Sequence, residues 1–294
     1  MNATLPPTRI KLRPLHPLFV AEVTGVDLRH PLDDATFAEI YEAFETHSVL
    51  VFRDQDIDDA QQVAFSERFG PLEVMLKGAV GQNSKVAGIT NVDPATNEII
   101  PVDDQRMLRQ YGNELWHTDS SFKRIPALAS LLSGREVPPE GGDTELASLR
   151  AAWDDLPEEK KALLDGLVAE HSFVYSRMLA TGGKDFMSEE QKAQVPPVPQ
   201  ALVRANPTNG RKSLFIASHA SHVIGWPVEK GRALLDELMA HATQPKYVYV
   251  HKWKPKDLVV WDNRSTLHRG RPYDYVNHRR RMVRTTVAGD APTA

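Results

Sequence analysis

The sequence predicts a mainly β fold with helical insertions, and three observations carry that prediction. Short apolar runs bounded by turn residues recur along the second half of the chain. The stretches with helical spacing sit near the start and in insertions. Strands and helices do not alternate as a parallel α/β sheet requires, which points to a β-sandwich or barrel core with helical decoration. The expectation is one domain over residues 1–294, with 1–9 a loose tail.

Taken in order, Pro6-Pro7 discourage helix in that tail. Phe37, Ile40 and Phe44 recur at helical spacing within Ala35–His47, and the Val/Leu/Phe run Ser48–Phe52 reads as a buried strand. Asp58 is placed to cap a second helix through Arg68, with Val63, Phe65 and Phe69 on its apolar side and Gly70-Pro71 ending it. Residues 71–115 read as loops around a short strand near Val86–Asn91. Ala127–Ser133 leads to the turn Pro138-Pro139-Glu140-Gly141-Gly142, and Thr144–Ala147 to a helical pattern over 148–166, where Pro157 opens a second helix. Leu167–Tyr175 is strand-like. The polar stretch 178–200, with Pro196, Pro197 and Pro199, reads as a lid insertion. Strands are expected at 201–205, 213–217, 246–252, 257–262 and 280–288, with a helix near 228–243.

Composition excludes several functions. Hydrophobic content of 41% and charged content of 25% are those of a soluble globular chain. A net charge of -4 offers no overall attraction for nucleic acid or acidic membranes. The lack of cysteine removes disulfides, zinc-thiolate sites, iron-sulfur clusters and thiol catalysis, and fits a cytoplasmic protein. Met1–Arg9 has no signal-peptide pattern, and no run approaches the ~18 apolar residues of a membrane span.

The chemistry concentrates in Trp116-His117-Thr118-Asp119 and in the C-terminal part of the chain. In an extended segment, residues i and i+2 point to one side, so His117 and Asp119 can grip one ion from neighbouring positions. Alone, His-x-Asp is a short pattern that arises by chance, and the third ligand must come from elsewhere. His268 stands out among the other histidines because it follows the apolar run Leu258–Trp261 and a polar turn, where a rigid strand hands over to a loop. His219 and His222 form a second pair without a nearby carboxylate and read as pocket lining. Two histidines and one carboxylate on one face of an ion leave three octahedral positions open, as ferrous oxygenases require.

Further on, Arg280, Met282, Arg284 and Thr286 share one face of a strand. Four residues at ~3.3 Å set the two arginines about 13 Å apart along the backbone. Guanidinium groups there could hold one or two organic acids through paired hydrogen bonds, or could belong to a solvated basic edge strand.

Together, Trp116–Phe122, Gly141-Gly142-Asp143-Thr144, Trp261-Asp262-Asn263-Arg264, His268-Arg269 and Arg280-x3-Arg284-x-Thr286 resemble the taurine dioxygenase-like family of Fe(II)- and 2-oxoglutarate-dependent dioxygenases. The similarity spans Thr24 to Asp290. Leu115–Phe122, Ala217–Val223 and Asp257–Tyr273 are most similar to the 2,4-dichlorophenoxyacetate dioxygenase branch. The resemblance implies a double-stranded β-helix (jelly-roll) core, iron on His117, Asp119 and His268, and 2-oxoglutarate and O2 as cosubstrates. It implies that Thr144 and Arg280 bind the distal carboxylate of 2-oxoglutarate beside Trp261, and that Arg284 pairs with a small organic acid. Val74, Met75 and Leu76 of the loop 74–81 would supply apolar wall and Lys77 a second positive charge, the alternative for Lys77 being a plain exposed lysine.

Two positions depart from the family pattern. Counting forward from His268 lands on Arg279, whereas counting back from Arg284 lands on Arg280. A one-residue insertion in the loop 271–279 reconciles the two in favour of Arg280, since a strand slip would flip every side chain. Asn206 stands where close relatives tend to have histidine. The expected reaction is hydroxylation beside the ether oxygen of aryloxyacetates such as 2,4-dichlorophenoxyacetate, giving a phenol, glyoxylate, succinate and CO2. Taurine, another sulfonate or an alkyl sulfate is the alternative substrate. A zinc hydrolase and a non-catalytic binding protein are the readings from other classes. Family members are often homo-oligomers.

Overall fold

Helix starts follow directly from short side chains. The structure, a computed structural model, describes residues 9–74, 84–185 and 187–294. Asp33 accepts from the Thr36 amide and opens α1 (Asp34–His47). Asp58 caps α2 (Asp59–Glu67), as the sequence predicts, and it and Gln61 satisfy each other's backbone in a capping box. The expected tail lies almost wholly outside the described residues, and so do Met75, Leu76 and Lys77.

The strands in chain order are β1 (Lys11–Pro14), β2 (Ala21–Thr24), β3 (Val49–Phe52), β4 (Ala87–Thr90), β5 (Ala129–Glu136), β6 (Thr144–Ser148), β7 (Val168–His171), β8 (Val198–Ala201), β9 (Val203–Ala205), β10 (Lys212–Leu214), β11 (Ala220–Val223), β12 (Val248–His251), β13 (Leu258–Asp262), β14 (Thr266–Gly270) and β15 (Arg281–Val287). The remaining helices are α3 (Leu108–Asn113), α4 (Leu149–Asp154), α5 (Glu158–Leu164), α6 (Phe173–Ala180), α7 (Glu189–Ala193) and α8 (Val228–Ala242).

Seven strands form one sheet in the order β1-β2-β3-β13-β5-β15-β4, and β12-β6-β14 form a second. The pleat sends alternate side chains to opposite faces. Leu50, Phe52, Leu131, Leu258 and Val260 pack against Phe37, Ile40 and Phe44 of α1 and Phe65 of α2. Val49, Val51, Leu132, Val259, Trp261 and Met282 point the other way and share a core with Leu146 of the smaller sheet. Covering both faces explains why Val49–Phe52 and Leu258–Trp261 are unbroken apolar runs. Each such side chain contributes about 1.5–3 kcal/mol by leaving water. A third core seats α4 and α8 on Ala147 and Leu267, the outer face of the smaller sheet.

Two sequence expectations are corrected. Phe173–Tyr175 is helical, because the Ser172 hydroxyl accepts from the Tyr175 amide and starts α6. His268 lies inside β14, with Leu146 as its cross-strand partner, and not in a loop after a strand. Residues 178–200, the expected lid insertion, contain the end of α6, α7 with a Ser188–Gln191 capping box, and the start of β8.

Candidate active site

Two distant segments meet through their backbones. The His117 amide donates to the His268 carbonyl at 3.0 Å, and the His268 amide donates to the His117 carbonyl at 2.8 Å. That reciprocal pair brings the two imidazole rings to 4.1 Å between centroids. Asp119, two residues past His117, comes round so that one carboxylate oxygen lies 3.6 Å from His268 Nε2. Ligand atoms of the three residues all lie within 4.8 Å of one another, and all three side chains are buried. Among the described residues this is the one group of three or more His, Cys, Asp or Glu so arranged.

The orientation of each ligand has a cause. The Leu115 carbonyl, 2.7 Å from His117 Nδ1, can only accept, so Nδ1 carries the proton and Nε2 is left as a lone-pair donor. Asp119 is held from three sides. Ser130 Oγ donates to Oδ2 at 2.6 Å, Arg284 Nη1 donates to Oδ1 at 2.6 Å, and the Asp119 amide donates to Asn263 Oδ1 at 3.2 Å. Asn263 also accepts from Trp261 Nε1 at 3.1 Å and donates to Ser130 Oγ at 2.9 Å. Trp261 in turn packs its ring 4.6 Å from that of His268.

Electrostatics suit a metal. Burial would push the Asp119 carboxyl up, but the Arg284 guanidinium, helped by the Ser130 hydroxyl, more than offsets it and keeps it ionised. Burial pushes His117 and His268 down, so both are neutral near pH 7. His268 Nδ1 is buried with no hydrogen-bond partner. Two neutral imidazoles and one carboxylate on one side of a point, with open positions opposite, match a divalent first-row metal.

Beside this triad opens a cleft of about 550 Å³, lined by His117, His268, Thr144, Trp261, Arg280 and Arg284 among others. The expected cosubstrate and substrate residues are therefore brought together with the metal ligands. Arg280 is buried, its Nη2 donates to the Gly142 carbonyl at 3.2 Å, and its Nε has no partner. Any side chain at Gly142, where φ is +67°, would start 3.2 Å from that Nε, so the glycine leaves the arginine its room. Arg279 points away from the cleft, to Glu136 and Asn97. Arg284 is not a free cation, since it already holds Asp119, but its Nε is buried and unpartnered. Lys77 lies outside the described residues.

His219 lies buried against the site, its ring centroid 6.3 Å from that of His117 and 5.1 Å from that of Phe122. His222 is half-buried and does have a carboxylate nearby, Glu170 at 3.8 Å. Sequence reasoning missed Tyr273, Tyr275, Asn113 and Glu114, which line the cleft, and Asn263 as the hub of its hydrogen bonds. Tyr275 Oη donates to Glu114 Oε1 at 2.8 Å, a contact between a loop and the end of α3 that no local spacing announces.

A mononuclear two-histidine, one-carboxylate site at the edge of a β-rich core, opening on an arginine-lined cleft, defines a non-haem metal oxygenase. The family model "Taurine catabolism dioxygenase TauD, TfdA family" matches residues 11–286. The chain belongs to that family and has its dioxygenase fold. It is 46% identical over 283 residues to the alpha-ketoglutarate-dependent 2,4-dichlorophenoxyacetate dioxygenase of Cupriavidus pinatubonensis, covering 95% of this chain and 97% of the relative. The enzyme of the same name from a Burkholderia strain is 45% identical over 280 residues, 94% of this chain and 93% of the relative. Among solved structures, AAD-2 in complex with Mn(II) and N-oxalylglycine superposes with a TM-score of 0.89 at 46% identity, covering 97% of this chain and 98% of that one.

Proposed function

We propose that this chain is an Fe(II)- and 2-oxoglutarate-dependent dioxygenase that hydroxylates the carbon next to the ether oxygen of aryloxyacetates such as 2,4-dichlorophenoxyacetate. The products are a phenol, glyoxylate, succinate and CO2. The observation that carries the reading is that the His117, Asp119 and His268 cluster adjoins a cleft lined by His117, His268, Thr144, Arg280 and Arg284. Iron with 2-oxoglutarate and O2 supplies the oxidising power, one oxygen atom going to succinate and the other to the substrate carbon.

The protein's share is binding, orientation and exclusion of water. His117, Asp119 and His268 hold the metal from one side. Thr144 and Arg280 take the distal carboxylate of 2-oxoglutarate, with Trp261 lining that site against the His268 ring. Arg284 keeps one guanidinium nitrogen on Asp119 and offers its unpartnered Nε to the substrate's acid group. Fixing that acid sets the adjacent CH2 toward the metal face, an orientation effect. Lys77 adds a second positive charge, and residues 178–200 act as the lid of a single domain with a double-stranded β-helix core. The substrate is a small organic acid, and neither nucleic acid nor a membrane takes part. No helix among the described residues is long and apolar enough to cross a membrane. The cysteine-free chain suits the cytoplasm. A homo-oligomer is the assembly this reading carries, to be checked by light scattering.

The test is succinate release across aryloxyacetates, aryloxypropionates, sulfonates and alkyl sulfates, with and without O2. Aryloxyacetates should be the best substrates. A guanidinium holds a sulfonate as well as a carboxylate, so preference for taurine or an alkyl sulfate would replace the substrate named here. Turnover without O2 would move the chain to the hydrolases. Anaerobic Fe(II) with 2-oxoglutarate should also give a weak visible band that is lost in the His117→Ala, His268→Ala double variant.

A further inference from the structure

A hydroxyl can donate one hydrogen bond and accept two, so which way its proton points depends on its neighbours. Thr144 Oγ1 has such a neighbour in Trp253, whose indole Nε1 donates to it at 2.9 Å. An indole N–H cannot accept. Among the described residues, no acceptor takes the Thr144 proton.

The indole is itself fixed on several sides. His251, two residues earlier, pairs with Thr144 across the β12–β6 ladder, which sets Trp253 beside Thr144. The His251 ring stands edge-on to Trp253 at 4.5 Å between centroids. His251 Nε2 donates to Asp257 Oδ2 at 3.2 Å, and the Lys254 amide donates to the same oxygen at 2.8 Å. On the far side Gly134 of β5 leaves space for the ring: a Cβ there would stand 3.2 Å from Trp253 Cε3.

We infer that Trp253 is a positioning residue for the cosubstrate's distal carboxylate, because its N–H fills an acceptor site of the Thr144 hydroxyl and turns that hydroxyl's proton into the cleft. Thr144 then meets a carboxylate as a committed donor beside the Arg280 guanidinium. With the indole N–H gone, the hydroxyl can turn its proton elsewhere, and part of the bound population loses that hydrogen bond. The inference rests on the assignment of Thr144 and Arg280 to 2-oxoglutarate.

The experiment uses the full chain loaded with Mn(II) and titrated calorimetrically with 2-oxoglutarate and with 2-oxovalerate, which lacks the distal carboxylate. Trp253→Phe keeps most of the ring packing and removes the donor. It should weaken 2-oxoglutarate about five- to tenfold, the scale of one neutral hydrogen bond, and leave 2-oxovalerate within twofold. Thr144→Val should weaken 2-oxoglutarate selectively too, and the double variant should bind it no more weakly than Thr144→Val alone. Losses that multiply in the double variant, equal loss for both acids, or no loss in Trp253→Phe would overturn the role of the indole while the cosubstrate site stands. Unchanged 2-oxoglutarate binding in Thr144→Val would overturn the cosubstrate assignment and the inference together.

Discussion

Asn263→Ala is the substitution that most directly tests how the metal face is held. The side chain is buried and supports four neighbours: it accepts from Trp261 Nε1, from the Asp119 amide and from Thr118 Oγ1, and it donates to Ser130 Oγ. Thr118 keeps an acceptor after truncation, because its hydroxyl donates to the Asn263 backbone carbonyl at 2.7 Å. Ser130 keeps its bond to Asp119. Two buried donors are then left without a partner, at about 1–3 kcal/mol each. A water entering the vacated space would recover part of that, so the expected loss is about 2–4 kcal/mol. Globular domains have about 5–15 kcal/mol in total, and the variant should therefore fold. Urea unfolding followed by far-UV circular dichroism measures the loss. Because Asn263 and Ser130 orient Asp119, Mn(II) affinity should fall about 10- to 100-fold, as for other partners behind a metal ligand. A variant that loses stability but binds Mn(II) normally would refute the idea that Asn263 acts on the metal site, and a loss below about 1 kcal/mol would refute the accounting itself.

Other predictions concern the frame around the site. Arg264→Leu would leave Glu45 and Asp262 buried without the cation that bonds both, costing about 3–5 kcal/mol by chemical denaturation. Burial would push the Asp262 carboxyl up, but Arg264 and Arg150 hold it below its ordinary 3.8. Its contribution is thus complete above that value and is lost as pH falls through the folded one, so acid unfolding of the variant should begin at higher pH. His171 is buried with both ring nitrogens unpartnered, stacked on Phe215, and burial pushes it down to about 3. The unfolded chain takes up that proton from near pH 6.5 downward while the folded one resists. Wild-type melting temperature should therefore drop more steeply between pH 6.5 and 4 than that of His171→Phe, and parallel curves would count against the assignment. Mn(II) at about 100 times its dissociation constant should add about 2.7 kcal/mol of stability. A chelator should reverse it, and the His117→Ala, His268→Ala double variant should show no such gain in thermal melts.

Legibility in the sequence followed locality. The caps at Asp58 and the continuous apolar runs of β3 and β13 announce themselves within a few residues, and the structure has those elements. β1 does not: all four of its residues are exposed, so no alternation marks it. Phe173-Val174-Tyr175 has the composition of a strand, and one serine hydroxyl decides for helix. The Ser188–Gln191 box of α7 was a readable signal hidden by the polar, proline-rich composition around it. In the site, i, i+2 spacing placed His117 and Asp119 together, and the family spacing counted back from Arg284 favoured Arg280 over Arg279. Trp253, Tyr275 and Glu114 were not legible. Their roles arise from contacts across sheets and loops, where nothing in the flanking residues records the partner.

The mutual backbone bonds of His117 and His268 have a consequence for when this chain acquires its reactivity. The two residues are separated by half the length of the protein, and closing so long a loop has an entropic cost that only the assembled sheets offset. The two imidazoles proposed to hold the metal therefore come into range only once β14 has joined its sheet. A chain whose two sheets have not yet assembled carries the same residues but not the gripping geometry. Assembly of the proposed metal face is in this way tied to completion of the fold.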